Sequence, residues 1–146
     1  MMEPSVLIVD DEVAFVETLV KRLKKRDVRV DFVHSGQEAL DALNASGPAR
    51  IDVVILDVKM PGMDGLETLS RLKEQHPLVE VVMLTGHATV ESAIDGMKKG
   101  AFDYLMKPCE VDVLLEKINE ATTRKREHEE KILEAKASLI SLRRGD

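Results

Sequence analysis

The stretch Ile51-Asp52-Val53-Val54-Ile55-Leu56-Asp57-Val58-Lys59-Met60-Pro61-Gly62-Met63-Asp64-Gly65 decides the fold. Its apolar run, Val53 to Leu56, is short and rich in β-branched residues, which reads as a buried strand. The run ends on a single acid, Asp57, and loop residues follow at once, first Met60-Pro61-Gly62 and then Asp64-Gly65. Asp57 therefore stands at the carboxyl end of a central strand, the edge at which open α/β sheets hold their ligands. A carboxylate is costly to bury there unless something pairs with it, so the rest of the chain must supply the partner.

Upstream, Val6-Leu7-Ile8-Val9 is a second apolar run, and it ends on Asp10-Asp11-Glu12. Val13, Val16, Leu19, Val20 and Leu23 then recur at helical spacing, and the acids before them suit a helix N-terminus. Val28 to Val33 alternates and reads as a strand nearer an edge. Ser35-x-x-Glu38 resembles a capping box ahead of Ala39, Leu40 and Leu43, with Ser46-Gly47-Pro48 as the stop. Downstream, Asp64-Gly65-Leu66-Glu67 caps a helix that carries Leu66, Leu69 and Leu72 to Pro77. Val79 to Leu84 is a fourth strand, ending on Thr85-Gly86-His87. Val90, Ala93, Ile94 and Met97 make a short helix that stops at Gly100. Ala101 to Met106 is a fifth strand, ending on Lys107-Pro108, and the pattern is helical from Val111 almost to the end.

Strands and helices alternate five times. The expected fold is α/β: a flavodoxin-like (βα)5 doubly wound parallel sheet in strand order 2-1-3-4-5, with right-handed crossovers and an extended C-terminal helix. The expected division is a domain over residues 1–123 and a helical extension over 124–146.

In a parallel sheet the ends of strands 1, 3, 4 and 5 open on one edge. They bring Asp10-Asp11, Asp57, Thr85 and Lys107 together. Three converging carboxylates need compensation, and a hard divalent cation plus the lysine supplies it. Mg²⁺ takes carboxylate, carbonyl and water oxygens and favours phosphate partners. A carboxylate also accepts phosphoryl groups covalently, and the transferred group needs its oxygens neutralised by metal, cation and hydroxyl donor.

Asp10-Asp11, Asp57, Met60-Pro61-x-x-Asp64-Gly65, Thr85-Gly86, Gly100-Ala101-x-Asp103-Tyr104 and Lys107-Pro108 stand in one order over roughly residues 4–123. In that set the chain resembles the receiver domains of two-component response regulators, those of nitrogen-regulation-type transcription activators most of all. The resemblance implies that Asp57 takes phosphate from a phosphohistidine on a sensor histidine kinase. It implies Mg²⁺ on Asp10, Asp11, Asp57 and the backbone carbonyl of Lys59. It further implies that Thr85 and Lys107 contact the phosphoryl oxygens, Lys107 across a cis bond to Pro108. On phosphorylation Thr85 would move inward, Tyr104 would follow, and the face of the fourth helix, fifth strand and fifth helix would change shape.

Plainer readings stand beside these. Asp52, at the start of its strand, reads as structural, and Asp64 as a helix cap. Tyr104 is a switch or a packing residue. Lys59 and His87, each two residues past a site residue, either flank the phosphoryl group and tune its lifetime or are only solvated. Cys109 reads as a packing residue. Among rival functions, a haloacid-dehalogenase-type phosphohydrolase wants a second acid where Lys59 stands. A flavodoxin wants a hydroxyl-rich loop where Asp10-Asp11-Glu12 stands. A phosphorylation-independent interaction module would show a degenerate site.

The chain has 146 residues, of which 44 % are hydrophobic and 3 % aromatic, and its net charge of −6 disfavours a general nucleic-acid surface. Residues 124–146 hold seven Lys/Arg and five Asp/Glu, a net +2, which leaves −8 on residues 1–123. The single cysteine permits no internal disulfide, which fits a reducing cytoplasm. No signal peptide or membrane span is evident, and the four histidines lack metal-ligand spacing. Val111, Leu114, Ile118, Ala121, Lys125, His128, Ile132, Ala135, Leu139 and Leu142 follow a 3-4 spacing. Up to about Ala121 this seam must pack on the sheet. Beyond it, a homodimeric coiled coil or a docked partner would cover the stripe. The chain ends at Arg143-Arg144-Gly145-Asp146, which fits a single-domain regulator or the N-terminal fragment of a transcription activator.

Overall fold

A computed structural model describes residues 3–46 and 50–143. The elements alternate along the chain: β1 (Ser5–Val9), α1 (Val13–Lys24), β2 (Arg29–Val33), α2 (Gly36–Ser46), β3 (Val53–Leu56), α3 (Gly65–Gln75), β4 (Glu80–Thr85), α4 (Val90–Lys98), β5 (Asp103–Met106) and α5 (Val111–Arg143). The strands form one parallel sheet in the order β2-β1-β3-β4-β5, the order expected from the alternation.

The strand period of two divides the core between the two faces of the sheet. Val6 and Ile8 of β1, Val53 and Ile55 of β3, and Val82 and Leu84 of β4 pack against α1 and α5 through Val16, Leu19, Leu23, Leu114 and Ile118. Leu7, Val9, Val54, Leu56, Val81 and Met83 face the other way, against Leu40 and Leu43 of α2 and Leu69 and Leu72 of α3. β3 and β4 are buried along their whole length. β2, at the edge, is only half-buried, as its alternation suggested. The fifth strand starts two residues later than the apolar run: Ala101 N–H first bonds Gly96 O, and Phe102 N–H bonds Val81 O.

The helix starts are set locally. Asp64 accepts from Glu67 N–H at 2.9 Å, and Ser35 Oγ meets both the backbone and the side chain of Glu38. The α4 cap is a Thr89/Ser92 box absent from the sequence expectation. Gly47 and Pro48, read as the stop of α2, lie outside the described residues. A Cβ at Gly65 would collide with the Asp57 carbonyl, so glycine alone lets α3 begin directly against the end of β3.

α5 packs further than expected. Burial runs through Leu114, Ile118, Ala121 and Thr122 to Lys125. The seam drawn through Lys125 is corrected here: its side chain is turned into its own sheet edge, where Asp52 and Glu129 face it, and is not free for a partner. Beyond Glu129 every described residue of the helix is exposed. Among the described residues no helix is long and apolar enough to cross a membrane.

Candidate functional site

Two strand ends deliver the acids. Asp10 follows β1 and Asp57 follows β3; both are buried, while Asp11 is exposed. Oxygens of Asp10, Asp11 and Asp57 all lie within 4.8 Å of one another. One carboxylate oxygen of Asp57, Oδ1, is buried and has no hydrogen-bond partner. Asp10 is better tied: Oδ1 accepts from Glu12 N–H at 2.9 Å, and its carbonyl meets His34 Nδ1 at 2.8 Å.

Lys107 reaches in from the end of β5, and its peptide bond to Pro108 is cis. Nζ donates to Asp10 Oδ2 at 2.8 Å and to Glu12 Oε1 at 3.1 Å, and lies 3.6 Å from Asp57 Oδ2. It also stands 4.0 Å above the Phe15 ring, a cation–π contact. Burial pushes the Asp10 carboxyl up and the Asp57 charge adds to it; the Lys107 and Glu12 bonds pull back without cancelling the rise. Burial lowers the Lys107 ammonium, but its bond to Asp10 and the charges of Asp10 and Asp57 outweigh that, so it sits above its ordinary value. The lysine therefore stays charged beside the acids.

Thr85, fully buried at the end of β4, accepts from His87 N–H at 3.0 Å through Oγ1. Its backbone carbonyl accepts from Lys107 N–H at 2.8 Å. Lys59 and His87 line a cleft of about 430 Å³ with Asp11, Glu12, Asp57, Met60 and Pro61. Tyr104 does not line it. Its ring lies against α4, with the hydroxyl 2.6 Å from Ser92 Oγ.

Sequence reasoning missed three contributors: Glu12, Phe15 and Ser92. Glu12 and Phe15 are three apart, and that spacing places both on one turn, under Lys107. From sequence, Glu12 reads only as an acid suited to the helix N-terminus, and Phe15 lies off the apolar spacing of α1. Ser92 sits three past Thr89, the spacing of a cap partner. The two other expected structural roles hold. Asp64 caps α3, and Asp52 accepts from Ser5 N–H at the opposite edge of the sheet.

A doubly wound parallel sheet that gathers an acid cluster, a threonine and a lysine at its carboxyl edge defines the class of signalling domains that switch on phosphorylation. The chain belongs to the response regulator receiver domain family of two-component signalling, whose family model matches residues 6–119. It is 35 % identical over 123 residues to the DNA-binding transcriptional regulator NtrC of Klebsiella pneumoniae, covering 84 % of this chain and 26 % of that protein. It is 32 % identical over 114 residues to the regulatory protein LuxO of Vibrio cholerae, covering 78 % and 24 %. A solved receiver domain from Clostridium thermocellum superposes with a TM-score of 0.79 at 36 % identity, covering 84 % of this chain and 97 % of that one. The chain thus spans about a quarter of the length of these curated relatives.

Proposed function

We propose that Asp57 accepts a phosphoryl group from a phosphohistidine of a sensor histidine kinase. A carboxylate oxygen of Asp57 attacks phosphorus, the P–N bond breaks, and the imidazole leaves with its electron pair and takes up a proton. The observation that carries this reading is the gathering of Asp10, Asp11, Asp57 and Lys107 at one strand edge around an Asp57 oxygen that is buried and unpartnered. An orphaned buried oxygen among carboxylates fits a hard cation. Asp10, Asp11, Asp57 and the backbone carbonyl of Lys59 are the groups that would hold Mg²⁺. When bound, Mg²⁺ neutralises phosphoryl oxygens.

Lys107 holds a second phosphoryl oxygen once it gives up Glu12, and the Thr85 hydroxyl donates to a third after leaving the His87 amide. Tyr104 then turns from Ser92 towards the space behind Thr85, and the face made by α4, β5 and α5 changes shape. The chain also catalyses its own dephosphorylation by water, at a rate that Lys59 and His87 tune from the cleft rim. The exposed stripe of the C-terminal helix pairs with a second copy.

The test is intact mass after incubation with acetyl phosphate and Mg²⁺. The wild type is expected to gain one phosphoryl group, and Asp57→Ala or removal of the metal to abolish the gain. A folded wild type that gains none would leave a phosphorylation-independent interaction module as the better reading.

A further inference from the structure

A second charged cluster lies at the opposite edge of the sheet, where the strands begin. Asp52, just before β3, and Glu80, the first residue of β4, are both almost fully buried. Three consecutive bases of α5 meet them. Arg124 Nε lies 3.0 Å from Glu80 Oε2. Lys125, 1 % exposed, has Nζ 3.4 Å from Asp52 and 3.1 Å from Glu129, at angles that make no hydrogen bond. Arg126 donates to both Asp52 oxygens, at 3.4 and 3.0 Å, and to the Glu3 carbonyl at 3.1 Å. Lys73 of α3 closes the ring on Glu80 at 3.3 Å.

The location follows from lengths. A helix rises about 1.5 Å per residue, so α5 travels on the order of 20 Å between Val111 and Arg124. That is about the span of β4, which has six residues. At Arg124 the helix has run out of sheet, and beyond Glu129 it is wholly exposed. Three successive residues on a helix point in directions about 100° apart, so their ties prevent the helix from rolling as well as tilting. A buried ion pair adds little net stability, whereas leaving one partner alone is costly. Its use is to select one arrangement.

We propose that Arg124, Lys125 and Arg126 form an ionic joint with Asp52 and Glu80 that fixes the direction and rotation in which the C-terminal extension leaves the sheet. The acids stand at the starts of β3 and β4, the two strands whose far ends carry Asp57 and Thr85. The extension is thereby registered to those strands and not only to the apolar seat of Leu114, Ile118 and Ala121.

Paired spin labels at Gln37→Cys and Lys136→Cys, in a Cys109→Ser background diluted with unlabelled chain, measure the intramolecular distance. A single narrow distribution is expected in the otherwise unaltered chain. Asp52→Asn, and separately Arg124→Ala with Arg126→Ala, are expected to broaden it at least twofold while acetyl-phosphate labelling persists. The arginines are partly exposed, so that double variant decides the matter if Asp52→Asn fails to fold. A broad distribution without the substitutions, or an unchanged narrow one in a folded variant, overturns the proposal.

Discussion

At the residue scale the site is an imbalance of charge held in place by burial. Asp10 has a raised proton affinity because it is buried and faces Asp57. Its ionisation is therefore harder in the folded chain than in the unfolded one. The stability it contributes is full below its ordinary value of 3.8 and is lost as pH rises through the higher folded value. Denaturant melts in EDTA should show the wild type losing stability relative to Asp10→Asn as pH rises across that window. With Mg²⁺ at a hundred times its dissociation constant the wild type should gain about 2.7 kcal/mol, and Asp10→Asn most of that less. Affinity for the metal should fall as the acids take up protons. At the cleft rim, Lys59→Ala and His87→Ala should each speed loss of the phosphoryl group by roughly three- to tenfold, a barrier change of about 0.6–1.4 kcal/mol. A radiolabel decay course checks this, and unchanged rates would make both residues merely solvated.

At the scale of elements, α4 is the one whose start is tied to the proposed switch. Ser92 closes the α4 capping box with Thr89 and also meets the Tyr104 hydroxyl. One hydroxyl thus serves the helix start and the position of the ring against α4. Removing it costs about 1 kcal/mol of hydrogen bonding to Tyr104, enough to shift the two ring positions by about fivefold. Tyr104 is the only tyrosine and there is no tryptophan, so its emission is unobscured. Ser92→Ala should move the unphosphorylated spectrum towards that of the phosphorylated wild type; an identical spectrum would separate the cap from the switch.

For the whole molecule, the extension is the surface that the proposed pairing covers. Ile132, Leu133, Leu139, Ile140 and Leu142 are exposed on a helix with no sheet beneath it. An isolated helix of that length is marginal in water, and a second copy would bury the stripe. Sedimentation velocity should find a dimer that Leu139→Glu with Leu142→Glu converts to monomer. A wild type that sediments as a monomer with and without a phosphoryl mimic would exclude pairing.

The sequence by itself determined the alternation of strands and helices, and with it the strand order and the edge at which Asp10, Asp11, Asp57, Thr85 and Lys107 meet. Those features follow from periodicity and from acids at the ends of apolar runs, which are local signals. The caps at Ser35 and Asp64 were legible for the same reason. Only the tertiary structure decided where Lys125 goes. Its place in a 3-4 seam looked like one of a coiled coil, but the helix reaches the end of the sheet beside Asp52, and the buried acid takes it in. The sharing of Lys107 among Asp10, Glu12 and the Phe15 ring likewise depends on residues far apart in sequence, and Ser92 meets Tyr104 only because β5 returns beside α4. No period in one dimension encodes which of several compatible partners a side chain meets.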